Sequence, residues 1–280
     1  MVRTSKLLIN TQYGKNTNTF IVLFATIIAA ITAYIIKGTA YDTNGKLVCS
    51  DYILNAYLYV IIAFCIIAMI PILMYNMIIS GTLNIARINN VYMVLAIIIG
   101  LLLLLFACIY YIRNADPVED AISIHMVYVI FCALFGILMS GVLAMGSIAG
   151  LLVPAIAIAI GLTTIAGYIG YYYGDRFITV DFDRMLWYAL IGLVIWSIVS
   201  IFVISDPLVR MYATAIPGVI IFFLLLMSYN NQLRKSAEEC TIPNYPKEAL
   251  GLVTKIGNIL GYVLRLLSGR RGVGKKLGSK

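Results

Sequence analysis

Seven long apolar stretches constrain this chain more than any other feature, because none of them contains a charged residue. They are Thr19–Ile36, Tyr52–Ile79, Tyr92–Ile112, Met126–Met145, Ile148–Tyr171, Leu186–Ile204 and Tyr212–Met227. A helix rises about 1.5 Å per residue, so a hydrocarbon core about 30 Å thick needs about twenty apolar residues. In lipid each backbone N–H and C=O must find a partner within its own element or on a neighbour. Runs of this length are therefore expected to be membrane-spanning helices. A transmembrane barrel would instead show alternating strands of about ten residues, and the sequence has none. Only 11% of the residues are charged, against roughly a quarter in soluble domains. The expected fold is an all-α polytopic membrane bundle of about seven spans.

The first run follows Arg3, Lys6 and Lys15, as a signal peptide would. Its apolar stretch is longer than the usual 7–15 residues of a signal core, so it reads as a span, with Gly38-Thr39-Ala40 as the alternative cleavage site. A weaker eighth segment, Ala249–Leu267, places Leu250, Val253, Ile256, Leu260, Val263 and Leu267 near helical spacing, interrupted by Lys255, Asn258 and Arg265. It could lie in the interface, re-enter or cross. The chain thus divides into an N-terminal tail (1–18), a helical bundle (19–228), a polar linker with an amphipathic, re-entrant or eighth helix (229–268) and a basic tail (269–280).

With seven spans and a tail that does not cross, one side holds five basic residues and the other fifteen of the twenty. The positive-inside rule makes the richer side cytoplasmic. If the eighth segment also crosses, the tail changes sides and the bias nearly vanishes. Cys49 and Cys240 lie in polar segments on one side of the membrane, so a bridge between them is possible, but that side reads as cytoplasmic and hence reducing, which favours thiols. Cys65, Cys108 and Cys132 lie inside apolar runs and read as small hydrophobes. Arg270, Arg271, Lys275, Lys276 and Lys280 suit anionic lipid, at about 1 kcal/mol per basic residue near the surface, or an acidic partner. Nucleic acid is the weaker candidate.

All twelve acidic residues fall in expected loops or at helix ends. Proton relays and cation pumps place carboxylates at membrane depth, so a proton-coupled pump is disfavoured. The single histidine, His125, cannot build a His-rich metal centre. No zincin, nucleophile-elbow or phosphate-loop pattern is present, and no cofactor or enzymatic activity is expected. Asp116, Glu119 and Asp120 read as a solvated loop. Asp175–Arg176 and Asp181, Asp183, Arg184 read as edge charges that pair among themselves. Tyr168, Tyr171, Tyr172 and Tyr173 suit headgroup anchoring. Glycines between 136 and 170 suit close helix packing, and Pro71, Pro154 and Pro217 suggest kinks.

From Met126 onward three pieces resemble the Bax-inhibitor (transmembrane Bax inhibitor motif) family. They are FGILMSGVLAMGSIAGLLVPAIAIAIGLTTIAGYIGYYYGDR, IIFFLLLMSYNNQLRKS and EALGLVTKIGNILGYVLRLL. The resemblance implies a calcium leak governed by two aspartates near the last two helices. Their positions fall here on Asn230 and Lys255, one unable to titrate and one cationic, while Gln232 and Asn258 match without charge. Two functions follow as expectations. One is a Bax-inhibitor-type modulator of ion leak or cell death without the titratable latch. The other is a non-catalytic structural subunit of a larger membrane assembly, in a respiratory-type complex or a viral inner membrane. The expected location is an internal membrane, either the endoplasmic reticulum or the mitochondrial inner membrane.

Overall fold

The computed structural model describes residues 49, 51–79, 91–148, 150–239, 242 and 244–277. The first apolar run, Cys240 and Lys280 lie outside them. Seven helices make up the described chain: α1 (Tyr52–Ile79), α2 (Val91–Asn114), α3 (Ala121–Ile148), α4 (Leu152–Phe177), α5 (Val180–Val203), α6 (Pro207–Glu239) and α7 (Tyr245–Leu277). Each is long and apolar enough to cross a membrane, α7 included. No strand occurs among the described residues.

The apolar runs mark the helices, but the helices outrun them where polar residues find partners. The expected loop Asp175–Arg184 shrinks to Ile178 and Thr179. There the Ile178 N–H donates to the Gly174 carbonyl (2.7 Å), and the Thr179 hydroxyl accepts from the Phe182 N–H (3.2 Å) as an N-cap. Asp181 and Asp183 fall in the first turn of α5, where negative charge meets the positive end of the helix dipole. Helix α6 continues past Met227 through Glu239, into the stretch read as polar linker. Pro154 sits in the first turn of α4, where a missing N–H breaks no bond. The kink expected there is replaced by a helix start. Gly150, with φ 63°, makes the turn before α4 in a conformation that glycine adopts without strain.

The chain divides into two compact units, Met1–Gly141 with Ile242–Ala249, and Val142–Thr241 with Leu250–Lys280. In the first, a Cβ on Gly136 of α3 would lie 3.0 Å from Ile70 and 3.2 Å from the Ile67 backbone, so glycine sets the approach to α1. Tyr52, Tyr128, Phe131, Ile112 and Ile124 are almost fully buried in this unit.

In the second unit α6 packs against both α4 and α5. A Cβ on Gly170 would overlap the Met227 carbonyl, and one on Gly174 would lie 2.5 Å from Asn231 Cγ. The close approach of α4 to α6 therefore requires glycine at both positions. Three further seats join α6 to α7. Tyr229 of α6 lies on Gly251, Tyr262 of α7 lies on Gly218, and Met211 and Tyr212 lie on Gly269. Residue numbers fall along α6 as they rise along α7, so the two helices run antiparallel.

Pro217 removes one N–H from the middle of α6, which takes the helical partner from the carbonyl four residues earlier, at Ala213. Trp196 of α5 supplies a replacement, its indole Nε1 donating to the Ala213 oxygen at 3.0 Å. Trp196→Phe is expected to lower stability by about 1–3 kcal/mol, the cost of a carbonyl left without a partner where hydrocarbon supplies none. Adding Pro217→Ala restores an N–H and should recover most of the loss. Thermal unfolding of the purified single and double variants in detergent checks both expectations.

Candidate functional site

The two positions that the family resemblance singles out lie on α6 and α7, within one unit. Asn230 is 6% exposed. Its side-chain amide donates to the Leu226 carbonyl one turn back at 2.8 Å, and its Cβ lies beside Gly170. Lys255 is half-buried. Its Nζ donates to the Gly251 carbonyl at 3.0 Å and stands 4.0 Å from the centre of the Tyr229 ring, a distance at which an ammonium is attracted to an aromatic face. Gly251 serves both contacts, since its missing side chain admits the Tyr229 ring and its carbonyl holds the ammonium. Neither position offers a carboxylate. Asn258, which matches the family pattern, donates to the Thr254 carbonyl within α7 at 2.7 Å.

The carboxylates of this unit come from other elements. Asp183, in the first turn of α5, accepts from the Ser228 hydroxyl and from Gln232 Nε2 at 3.1 Å. These two α6 residues are four apart and share a helix face. Asp175 pairs with Arg234 and with Lys235 at 3.1 Å, and Arg234 also reaches Glu238 at 2.6 Å. Of the pairings expected within the α4–α5 segment, Arg184 with Asp181 is present at 3.4 Å. Asp175 and Asp183 turn instead to α6. Spacing along the sequence could not show this, because the partners are 45 to 60 residues away and come together only when α6 packs.

The first unit carries a second polar cluster. His125 Nδ1 lies 2.5 Å from the Ala121 carbonyl, and His125 Nε2 lies 2.5 Å from the Tyr59 hydroxyl. A carbonyl can only accept, so Nδ1 donates to Ala121, and Nε2 shares the second hydrogen bond with the Tyr59 hydroxyl. Tyr59 is flanked by Tyr128, edge-on at 5.8 Å, and by Tyr245, stacked at 6.1 Å. The Tyr128 hydroxyl donates to the Tyr59 carbonyl at 3.0 Å. Tyr52 donates to Glu248, and Asn55 donates to the Tyr245 hydroxyl, each at 3.3 Å. Asn244 donates to the Ile112 carbonyl at 3.4 Å, satisfying one of the orphan acceptors at the end of α2. The starts of α1, α3 and α7 and the end of α2 thus share one end of this unit. The run signal in the sequence hid this cluster, since its tyrosines count there as apolar.

Arg270, Arg271, Lys275 and Lys276 belong to the last turns of α7. Among the described residues no group of three or more His, Cys, Asp or Glu side chains is placed to hold a metal ion. The tyrosines Tyr168, Tyr171, Tyr172 and Tyr173 are exposed and in mutual ring contact near the end of α4.

Seven helices of spanning length, with apolar faces turned outward, define a multi-pass integral membrane protein. The model of the family described as "Inhibitor of apoptosis-promoting Bax1" matches residues 49–272, and the chain belongs to that Bax-inhibitor family. No curated protein matches the chain.

Outside the spans, Asp116 accepts from the backbone N–H groups of Val118 (2.7 Å) and Glu119 (3.1 Å), and these bonds hold its carboxyl below the usual carboxylate range. A depressed value stabilises the turn above the unfolded-state value, and the contribution is lost as pH falls through the folded-state one. The protection of the Val118 and Glu119 amides, taken as exchange relative to the intrinsic rate at each pH, is therefore expected to fall on acidification. In Asp116→Asn, which keeps an acceptor oxygen, it should stay insensitive to that pH change. Site-resolved hydrogen exchange measures this.

Proposed function

We propose that this chain is a Bax-inhibitor-type modulator of an internal membrane whose titratable calcium latch has been replaced by a fixed internal cation. The observation that carries the reading is the seating of Lys255. Its ammonium lies on the Tyr229 ring and donates to the Gly251 carbonyl, at the position where the resemblance implies an acid. A fixed positive charge there repels calcium: at an effective dielectric of about 20 and 5 Å, one charge acts on a divalent ion with about 7 kcal/mol. Asn230, at the other latch position, donates to its own helix and has no proton to exchange in the physiological range. Without two carboxylates competing for one proton, nothing at these positions switches with pH. Helix α6 packs against α4, α5 and α7. In this reading the scaffold acts on ion homeostasis or cell-death signalling through what binds it.

Calcium flux in proteoliposomes tests the proposal. The wild-type chain is expected to show no pH-dependent leak, and the double variant Asn230→Asp, Lys255→Asp to gain one. A pH-dependent leak through the wild-type chain would overturn it. A chain that stays silent in both forms and co-purifies with a fixed set of membrane subunits would favour the structural-subunit reading instead.

A further inference from the structure

Helix α6 carries three weaknesses close together. Pro217 lacks an N–H, and its ring crowds the carbonyl one turn back. Gly218 follows it, with no side chain to restrict the backbone. The buried Thr214 turns its hydroxyl onto its own helix, donating to the Arg210 and Met211 carbonyls at 3.1 Å each. A hydroxyl bonded back in this way tends to bend a helix, and sharp bends gather at proline and glycine.

The attachments of α6 divide at the same place. Toward its C-terminus, Gly170 and Gly174 of α4 receive it, Asp183 of α5 holds Ser228 and Gln232, and Asp175 holds Arg234 and Lys235. A separate set of groups holds residues 207–213. The Trp196 indole donates to the Ala213 carbonyl at 3.0 Å, the Arg210 guanidinium reaches the Ile201 carbonyl at 3.5 Å, and Met211 and Tyr212 sit on Gly269. Between the two sets, Tyr262 rests on Gly218, its Cζ 2.6 Å from where a Cβ would stand, and Phe222 flanks the same ring at 5.9 Å.

Trp196 is the side chain that answers the weak segment. It is exposed on α5, so it can swing away without opening a cavity in the core. Once it leaves, hydrocarbon offers the Ala213 carbonyl no donor, and water must follow.

We infer that α6 is jointed at residues 214–218 and that the Trp196 indole is the catch that holds residues 207–213 against α5. With the indole engaged, the joint is dry and closed. With it released, the N-terminal arm tilts about the Tyr262 seat, while the half that carries Asn230 stays held by α4 and α5.

Hydrogen exchange of the full chain in lipid nanodiscs tests this, because an amide in hydrocarbon exchanges only when local opening brings it water. Trp196→Phe should speed exchange over residues 211–220 about tenfold, the scale of one lost hydrogen bond, and leave residues 222–233 at the wild-type rate. Pro217→Ala alone, which restores the backbone bond, should slow residues 211–220 below the wild-type rate. In the double variant it should cancel the effect of Trp196→Phe. Variant and wild type are compared at the same residues, so depth in the membrane cancels. Unchanged exchange over 211–220 in Trp196→Phe would remove the catch. Equal quickening of both stretches would show general loosening and no joint. Pro217→Ala at the wild-type rate would remove the joint, even if Trp196→Phe fails to fold. Each of these results overturns the inference. None depends on calcium flux, so the joint can fail while the latch reading survives.

Discussion

Hydrocarbon offers no hydrogen-bond partner, and the organisation of this chain follows from having to satisfy its polar groups without water. Within a helix the backbone satisfies itself, which is why uncharged runs become helices at all. The informative places are those where the helical pattern fails. Pro217 orphans the Ala213 carbonyl, and an indole from the neighbouring helix answers it. The end of α2 leaves carbonyls over, and Asn244 answers one of them. At the end of α5 the Ile201 carbonyl is within 3.5 Å of the Arg210 guanidinium. In each case the side chain that closes the gap also fixes how two elements meet.

Side-chain polarity is handled in the same way. Asp183 receives two donors from one face of α6, and Asp175 receives two cations from its last turns. These bonds draw the polar stretch beyond Met227 into helix and tie the α4–α5 junction to it. Glycine sets the remaining geometry, because Gly170 and Gly174 allow α4 to approach α6 until backbone and side chain nearly touch. Packing here is dispersion at short range, which is what favours association when lipid tails are as apolar as the helices themselves.

Six of the seven described helices were readable in place as uncharged runs, which have few other solutions, while α7 showed only as a weaker segment interrupted by Lys255 and Arg265. Tyr52–Ile79 appears as an uninterrupted run and as α1 over the same residues. The ends were less legible. Ser228–Glu239 looks like a linker when its polarity is counted, and within the helix Ser228, Gln232, Arg234 and Lys235 meet carboxylates 45 to 60 residues away. The tyrosine–histidine cluster of the first unit was invisible for the opposite reason, its rings passing as bulk hydrophobicity. Asn230 and Lys255 were visible only through a resemblance. Their surroundings, a self-bonded amide and an ammonium on an aromatic ring, came from the folded chain. Cys49 is disulfide-bonded and not the thiol that a cytoplasmic side favours, while Cys65, Cys108 and Cys132 are free.

The reciprocal seats between α6 and α7 limit how this pair can move. Tyr229 drops into Gly251, Tyr262 into Gly218, and Met211 with Tyr212 into Gly269. A piston stroke of one helical turn, about 5.4 Å, would lift every one of these side chains out of its notch at once and press it against a bulkier neighbour. Tilting about the seats leaves them filled. The two helices are therefore keyed against axial sliding, and any gating stroke available to them is a rocking one.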